Sequence, residues 1–385
     1  MQYQVEALRK TLGLFFTFDV SLRDWEREGI LSREVAVYRR LVDQGIRVVF
    51  FTYGGTDDHG LLSADSGIEV RPMLERSRGT GRMGRFMESV RFLVRHRRGL
   101  RSLDIVKSNQ MLGAWLPSIV GLWFGIPFVL RCGYEKYQFA RLESKAFWKK
   151  GGLFLISWFL YRLADRVVLT SHEAIRFVET TFGIRSEKII EIPNSIDTER
   201  FRPVESEKRE RAFLFVGRLV PQKNLFLLVR ALRGLDVPLV IAGEGPERGR
   251  LEAEARSLGV ELRVLGRIDN DEVAGWMRRL RYFVLPSSFE GNPKVLMEAM
   301  SSGMTVIASR IPAHEPLIEE DVSGKLFDWR SEAALHDVLQ TLLSDSEKSA
   351  ALGQGARERV TRHWAPERLS QTEHRLYQDL WNTPV

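Results

Sequence analysis

The sequence predicts an α/β fold made of two Rossmann-like domains in tandem. Apolar strand-like runs alternate with helical stretches twice over, which implies parallel sheets covered on both faces. The alternation breaks once, near IIEIPNSIDTERFRP (189–203). The chain of 385 residues also exceeds the roughly 250–300 at which a single hydrophobic core stops growing.

The first series opens with GLFFTF (13–18), a helix near Leu31–Asp43 and IRVVFFTYGG (46–55). DIVKSN (104–109), IPFVLRCGY (126–134) and DRVVLTS (165–171) are its further strand candidates. Thr170 and Glu173 form a capping-box pattern ahead of HEAIRFVETTFG. The second series runs RAFLFVG (211–217), a helix LFLLVRALRGL (225–235), VPLVIAG (237–243) and a helix from Glu247 to Leu258. ELRVLG (261–266), a helix near DEVAGWMRRL, FVLPSS (283–288) and MTVIAS (304–309) follow. The end, APERLSQTEHRLYQDLW (365–381), reads as an amphipathic helix. The expected divisions are 1–192, 193–365 and a final helical piece, 366–385.

Bulk properties narrow the function classes. One cysteine, Cys132, excludes a disulfide framework and suits a reducing cytosol. MQYQVEALRK lacks the apolar core of a signal peptide. The run GGLFLISWFLY (151–161) is shorter than the 18 or so residues of a spanning helix. A cytoplasmic location is therefore expected. Charge is uneven: residues 1–192 hold 30 Lys+Arg against 21 Asp+Glu, a net of +9, and the rest hold 27 against 29. Much of the excess lies in RSRGTGRMGRFMESVRFLVRHRRGLR (76–101), which has neither the aromatic interleaving nor the module of a nucleic-acid binder. No nucleic-acid partner is expected. A solvated face and attraction to anionic lipid remain open. FWKKGGLFLISWFLYR (147–162) fits equally a core helix and a helix lying on a membrane surface.

Three segments carry candidate chemistry. In FVGRLVPQKNL (215–225), Gly217 allows a tight turn at a strand end, and Arg218 and Lys223 stand beside a helix N-terminus. A guanidinium fork and a point charge there suit a diphosphate. In SSFEGNPKVLMEAMSSG (287–303), Glu290 lies in the loop after a strand and Glu298 on the following helix. Asn292 is the expected N-cap and Pro293 the expected first helical residue. Two carboxylate acceptors at the carboxyl edge of a sheet suit a ligand rich in hydroxyls. In LRDWEREGILSREVAVYRRL (22–41), Gly29 precedes a helix, where backbone N–H groups can meet phosphate.

Other strings point elsewhere or nowhere. GEGPERGR (243–250) has Arg248 where a dinucleotide fingerprint needs its third glycine, which weakens a dehydrogenase reading. No P-loop string is present. RCGYE (131–135) ends a strand with Arg131 and Tyr134 as candidates to face a cleft between the domains, and Cys132 has no activating partner. The seven histidines show no zinc spacing. His172 and His314, at strand–helix junctions, read as capping or packing residues.

In order, the Gly29 loop, VVLTSHEA, IPNSIDTERF, VGRLVPQKN, IAGEGPE, VLGRI and SSFEGNPKVLMEAMSSGMTVIAS resemble the retaining glycosyltransferases of family 4, which have the GT-B fold. The set spans about residues 15 to 327. The resemblance implies two Rossmann-like domains facing across a cleft, with the last helix crossing back to the first. It implies a nucleotide-diphosphate sugar, UDP- or GDP-linked, held by the second domain. Arg218 and Lys223 would grip the diphosphate, and Glu290 would meet the donor sugar. Glu298 would accept from the ribose, and Arg267 and Ile268 would flank the base. Gly217, Gly291, Asn292, Pro293, Lys294 and Val295 would line the donor, and Gly29 would approach the phosphates. No cofactor or metal is expected, because fixed cations can stabilise the leaving group. The expected acceptor is a glycan or lipid-linked molecule, with an anionic membrane surface as a further partner. The alternatives are a non-catalytic nucleotide-sugar-binding subunit, or another GT-B reaction such as a phosphorylase or epimerase. Arg131 and Tyr134 would lie on the acceptor side; the chain departs from the family there, at RCGY, where a histidine is common, and at EGNPK, where many members read EGFG.

Overall fold

The computed structural model describes residues 10–28, 30–74, 81–133, 135–142, 147–204 and 209–382. These form two compact units. The first holds the chain up to Pro193 and again from Leu369 onward, and the second runs from Asn194 to Arg368.

The first unit is built on a seven-stranded sheet: β1 (Thr11–Phe15), β2 (Arg47–Thr52), β3 (Ile68–Pro72), β4 (Ile105–Ser108), β5 (Phe128–Cys132), β6 (Arg166–Leu169) and β7 (Ile189–Glu191). The order is β3-β2-β1-β4-β5-β6-β7, and every pairing is parallel. The inner strands bury nearly all their residues, as helices on both faces require. The final helix, Pro366–Asn382, buries Leu369, Glu373, Leu376, Tyr377 and Leu380, a stripe at helical spacing.

The second unit carries β8 (Glu210–Val216), β9 (Leu239–Ala242), β10 (Leu262–Gly266), β11 (Leu280–Leu285), β12 (Thr305–Ser309) and β13 (Lys325–Phe327). Its order is β10-β9-β8-β11-β12-β13, again wholly parallel. This is the doubly wound arrangement of a Rossmann domain, with the order reversing between β8 and β11.

Several local expectations are corrected. β3, β7 and β13 carry no strand signal in the sequence. All three are short edge strands; β3 and β7 are only partly buried, and β13 has just three residues, so none has a long apolar run. FVLPSS does not extend to Ser288: β11 starts earlier and stops at Leu285, because Pro286 has no N–H for the ladder. The cap of helix His172–Phe182 is Ser171, whose hydroxyl accepts from Ala174 N–H, rather than Thr170. The stretch 147–162 is neither wholly core nor wholly surface. Helix Phe147–Leu163 buries Ser157, Leu160 and Tyr161 and exposes Trp148, Leu155, Ile156 and Phe159.

Candidate functional site

β8 and β11 lie side by side, with Tyr282 opposite Phe213 and Phe283 opposite Leu214. The loops leaving their carboxyl ends therefore meet at the point where strand order reverses. In an open parallel sheet that point is a crevice, because the two chains depart to opposite sides.

The β8 loop begins at Gly217, whose φ of +152° is one that side chains rarely adopt. Its carbonyl oxygen would lie 1.9 Å from a Cβ on Gly243, so the turns after β8 and β9 pack backbone to backbone. A single 3-10 turn, Pro221–Lys223, then sets Lys223 at the end of the loop. Asn224 turns the chain into helix Leu225–Ala231 at a φ of +53°, and its side chain donates to the Trp329 carbonyl at 2.9 Å. That helix ends four residues before the expected Leu235.

The β11 loop is laced to this one. Ser288 N–H and Oγ donate to the Gln222 carbonyl at 2.9 and 3.2 Å. Gln222 Nε2 donates to the Phe289 carbonyl at 2.7 Å. These bonds bring together two residues 67 apart in sequence: Lys223 Nζ pairs with Glu290 Oε1. Ser287 Oγ donates to the same oxygen at 2.6 Å. The side chains of Lys223 and Glu290 are 14% and 10% exposed. The pair is shielded enough to strengthen its field, yet open to a ligand.

Behind the carboxylate lies His314, fully buried in the loop after β12. Its Nδ1–H donates to the Ser309 carbonyl at 2.8 Å, and Ser309 Oγ donates to the Ser287 carbonyl at 2.5 Å. Burial drives the imidazole down to a pKa of about 4, so it is neutral at physiological pH. Sequence reasoning missed Ser287 and Gln222 as contributors and took His314 as a packing residue. Their adjacency to Glu290 and Lys223 was the available signal for the first two. His314 had none, because it arrives from a different strand.

Helix Lys294–Ser301 begins one residue later than expected. Pro293, with ψ of 90°, is outside helical geometry and acts as the N-cap, so Asn292 is not the cap and Pro293 is not the first helical residue. No side chain caps this end. Gly291, Asn292, Lys294 and Val295 are half-buried around it. Glu298 lies one turn inside and is 3% exposed. Arg218 is exposed and has no ion pair among the described residues.

Arg267 and Ile268 follow β10, two strands away from β8 in the sheet. Sequence reasoning passed over an Asp-x-Asp string, Asp269–Asn270–Asp271, directly after them. Its first carboxylate is committed to a capping box, accepting from Asp271 and Glu272 N–H, and Asp271 pairs with Arg200 at 3.2 Å. Among the described residues no group of three or more His, Cys, Asp or Glu is placed to hold a metal ion. Arg131 lies in β5 of the first unit, and after burial its charge is the next cause that lowers the Lys107 ammonium. Gly29 and Tyr134 lie outside the described residues.

Residues 197–359 match the model of Glycosyl transferases group 1, and residues 35–200 match Glycosyltransferase Family 4. Among curated proteins, a Campylobacter jejuni N-acetylgalactosamine-N,N'-diacetylbacillosaminyl-diphospho-undecaprenol 4-alpha-N-acetylgalactosaminyltransferase is 31% identical over 234 residues. That match covers 59% of this chain and 61% of that protein. The chain spans between 48% and 61% of the length of the first curated relatives it matches. Among solved structures, sucrose-phosphate synthase of Thermosynechococcus elongatus superposes with a TM-score of 0.79 at 20% identity, covering 97% of this chain and 99% of that one. HepE of Anabaena in complex with UDP superposes with a TM-score of 0.76 at 17% identity, covering 96% and 100%. The fold is GT-B, and the chain belongs to the glycosyltransferases of group 1, with a first half of the family 4 type.

Proposed function

We propose that the chain is a retaining, metal-independent glycosyltransferase. It moves a hexosyl group from a UDP- or GDP-linked sugar to a glycan or lipid-linked acceptor in surface polysaccharide or glycolipid synthesis. The observation that carries this reading is the Lys223–Glu290 pair at the switch point of the second sheet. A cation and a carboxylate held side by side suit the two charges of the reaction. The bond from the anomeric carbon to the diphosphate breaks and leaves negative charge on the phosphate, which Lys223 and Arg218 stabilise. The acceptor oxygen attacks on the same face, and its proton passes to the departing phosphate oxygen. Glu290 holds the sugar's hydroxyls, and Glu298 receives the ribose. The uncapped start of helix Lys294–Ser301 adds favourable dipoles toward the phosphate side. The UDP bound by HepE supports a nucleotide donor, and the undecaprenol-linked substrate named for the Campylobacter relative supports a lipid-linked acceptor. We place the enzyme in the cytoplasm, working at an anionic membrane surface.

A thermal-shift panel of UDP-, GDP-, ADP- and dTDP-sugars tests this. The correct donor at 100 times its Kd adds about 2.7 kcal/mol of stability. Turnover with that donor persists after exhaustive EDTA treatment. No shift with any nucleotide sugar overturns the donor site, and activity lost to EDTA and restored by magnesium overturns the metal-free step.

A further inference from the structure

We infer that the first unit carries an anionic-phospholipid docking site at the amino-terminal edge of strands β5 to β7. It joins a basic pocket to the apolar face of helix Phe147–Leu163, and it rests on the membrane-surface part of the proposed function.

The pocket has a volume of about 500 Å³ and is lined by Arg162, Arg166, Arg185 and Lys188, with Asp165 and Glu187. Four cations face two carboxylates, and none of the four is in an ion pair among the described residues. Asp165 Oδ2 instead accepts from Phe128 N–H at 2.7 Å, and Lys188 Nζ donates to the Arg162 carbonyl at 2.7 Å. Burial, as the largest cause, lowers the Lys188 ammonium's pKa; Asp165 opposes it, and Arg162, Arg166 and Arg185 add to the lowering. A bound anion relieves that repulsion. The pocket residues precede β6 and β7, so they lie at the end of the sheet opposite the carboxyl edge where Rossmann ligands bind.

The second observation is the helix that leads into this pocket. Trp148, Leu155 and Arg162 are seven apart and fall on one line of helix Phe147–Leu163. Trp148 is 72%, Leu155 65% and Phe159 55% exposed. The stripe ends at Arg162, whose guanidinium lies 4.5 Å from the ring centre of Trp158 and also lines the pocket. Leu122 and Trp123 are exposed at the end of the neighbouring helix Trp115–Phe124, just before β5, at the same edge of the sheet. Exposed tryptophans and leucines beside unpaired arginines suit the level of lipid headgroups, with rings among the acyl boundary and guanidiniums on phosphate. The net +9 of residues 1–192 is complementary to an anionic leaflet. Among the described residues no helix is long and apolar enough to cross a membrane, so the contact lies on the surface.

Flotation of the full chain with phosphatidylcholine vesicles, alone or mixed with phosphatidylglycerol, tests the site. The protein floats with the anionic vesicles at low salt and is released at high salt. Arg185→Ala/Lys188→Ala lowers partitioning about 25-fold, at roughly fivefold per basic residue near the surface. Leu155→Ser/Phe159→Ser lowers it as well, while the nucleotide-sugar thermal shift of both variants stays that of the parent. Flotation of the Arg185→Ala/Lys188→Ala protein at the parent level overturns the pocket, and equal flotation with neutral vesicles overturns the charge argument. Stabilisation by inorganic phosphate without vesicle binding assigns the pocket to a soluble anion and overturns the lipid. A lost nucleotide-sugar shift in the parent bears on the proposed function alone.

Discussion

Two lysine–glutamate pairs, one in each unit, contrast a buried fastener with the pair we propose as a working site. In the first unit Lys107 of β4 pairs with Glu373 of the last helix, and the two side chains are 2% and 6% exposed. The ammonium lies 5.3 Å from the ring centre of Tyr38 and 5.7 Å from that of Tyr377. Tyr377 OH donates to the same carboxylate at 2.6 Å. Burial pushes the Lys107 ammonium well down and the Tyr377 hydroxyl well up, and Arg131 pushes the ammonium further down. Lys107 lies on a strand and Glu373 on the last helix, so the buried pair holds that helix to the sheet. In the second unit Lys223 and Glu290 stand in loops rather than on a strand and a helix, and solvent reaches both. The difference teaches that access, rather than the chemistry of the pair, separates the two roles.

The sharpest way to break the comparison is to remove one partner from each pair. Glu373→Ala strands a buried ammonium and is expected to cost 3–5 kcal/mol, roughly, by denaturant unfolding. Donor turnover per folded molecule is unchanged. Lys223→Ala is expected to do the reverse. Turnover falls by about 10²–10³, while unfolding free energy shifts less than in Glu373→Ala, since Ser287 still donates to the Glu290 carboxylate and solvent reaches it. A Lys223→Ala protein that turns over donor normally removes the working half of the contrast.

The effect spread over the widest pH range, and small near neutrality, concerns His314, which stands behind Glu290. Its imidazole titrates near 6.5 when unfolded and near 4 when folded. Between those values the unfolded chain binds more protons, so stability is whole above pH 6.5 and falls as pH drops toward 4. The loss is at most about 3.5 kcal/mol, from about 1.4 kcal/mol per pKa unit. Unfolding measured across that range should be flatter for His314→Gln. An equally steep acid limb in the variant would assign the loss to other groups.

Much of the fold is legible in the chain itself. β2, β8, β9, β11 and β12 are central strands with helices on both faces, so each appears as an unbroken apolar run. The edge strands β3 and β7 escape, because one neighbour and a half-exposed face demand little hydrophobicity, and β13 escapes because its buried run is only three residues long. The loops after β8 and β11 can be marked from Gly217, Arg218, Lys223 and Glu290, since glycine, cations and a carboxylate after strand ends are local signals.

The sequence by itself determined the parallel α/β class, the break between two series and the residue types at the strand ends, because each depends on composition within a few residues. It also determined the last helix, through its stripe Leu369, Glu373, Leu376, Tyr377 and Leu380. Only the tertiary structure decided which of these residues meet. Strand order placed β8 beside β11 and so brought Lys223 to Glu290 across 67 positions. It likewise set His314 behind them and joined Lys107 to Glu373. Strand neighbours are selected by packing of the whole sheet, and that choice leaves no trace in the spacing of any one segment.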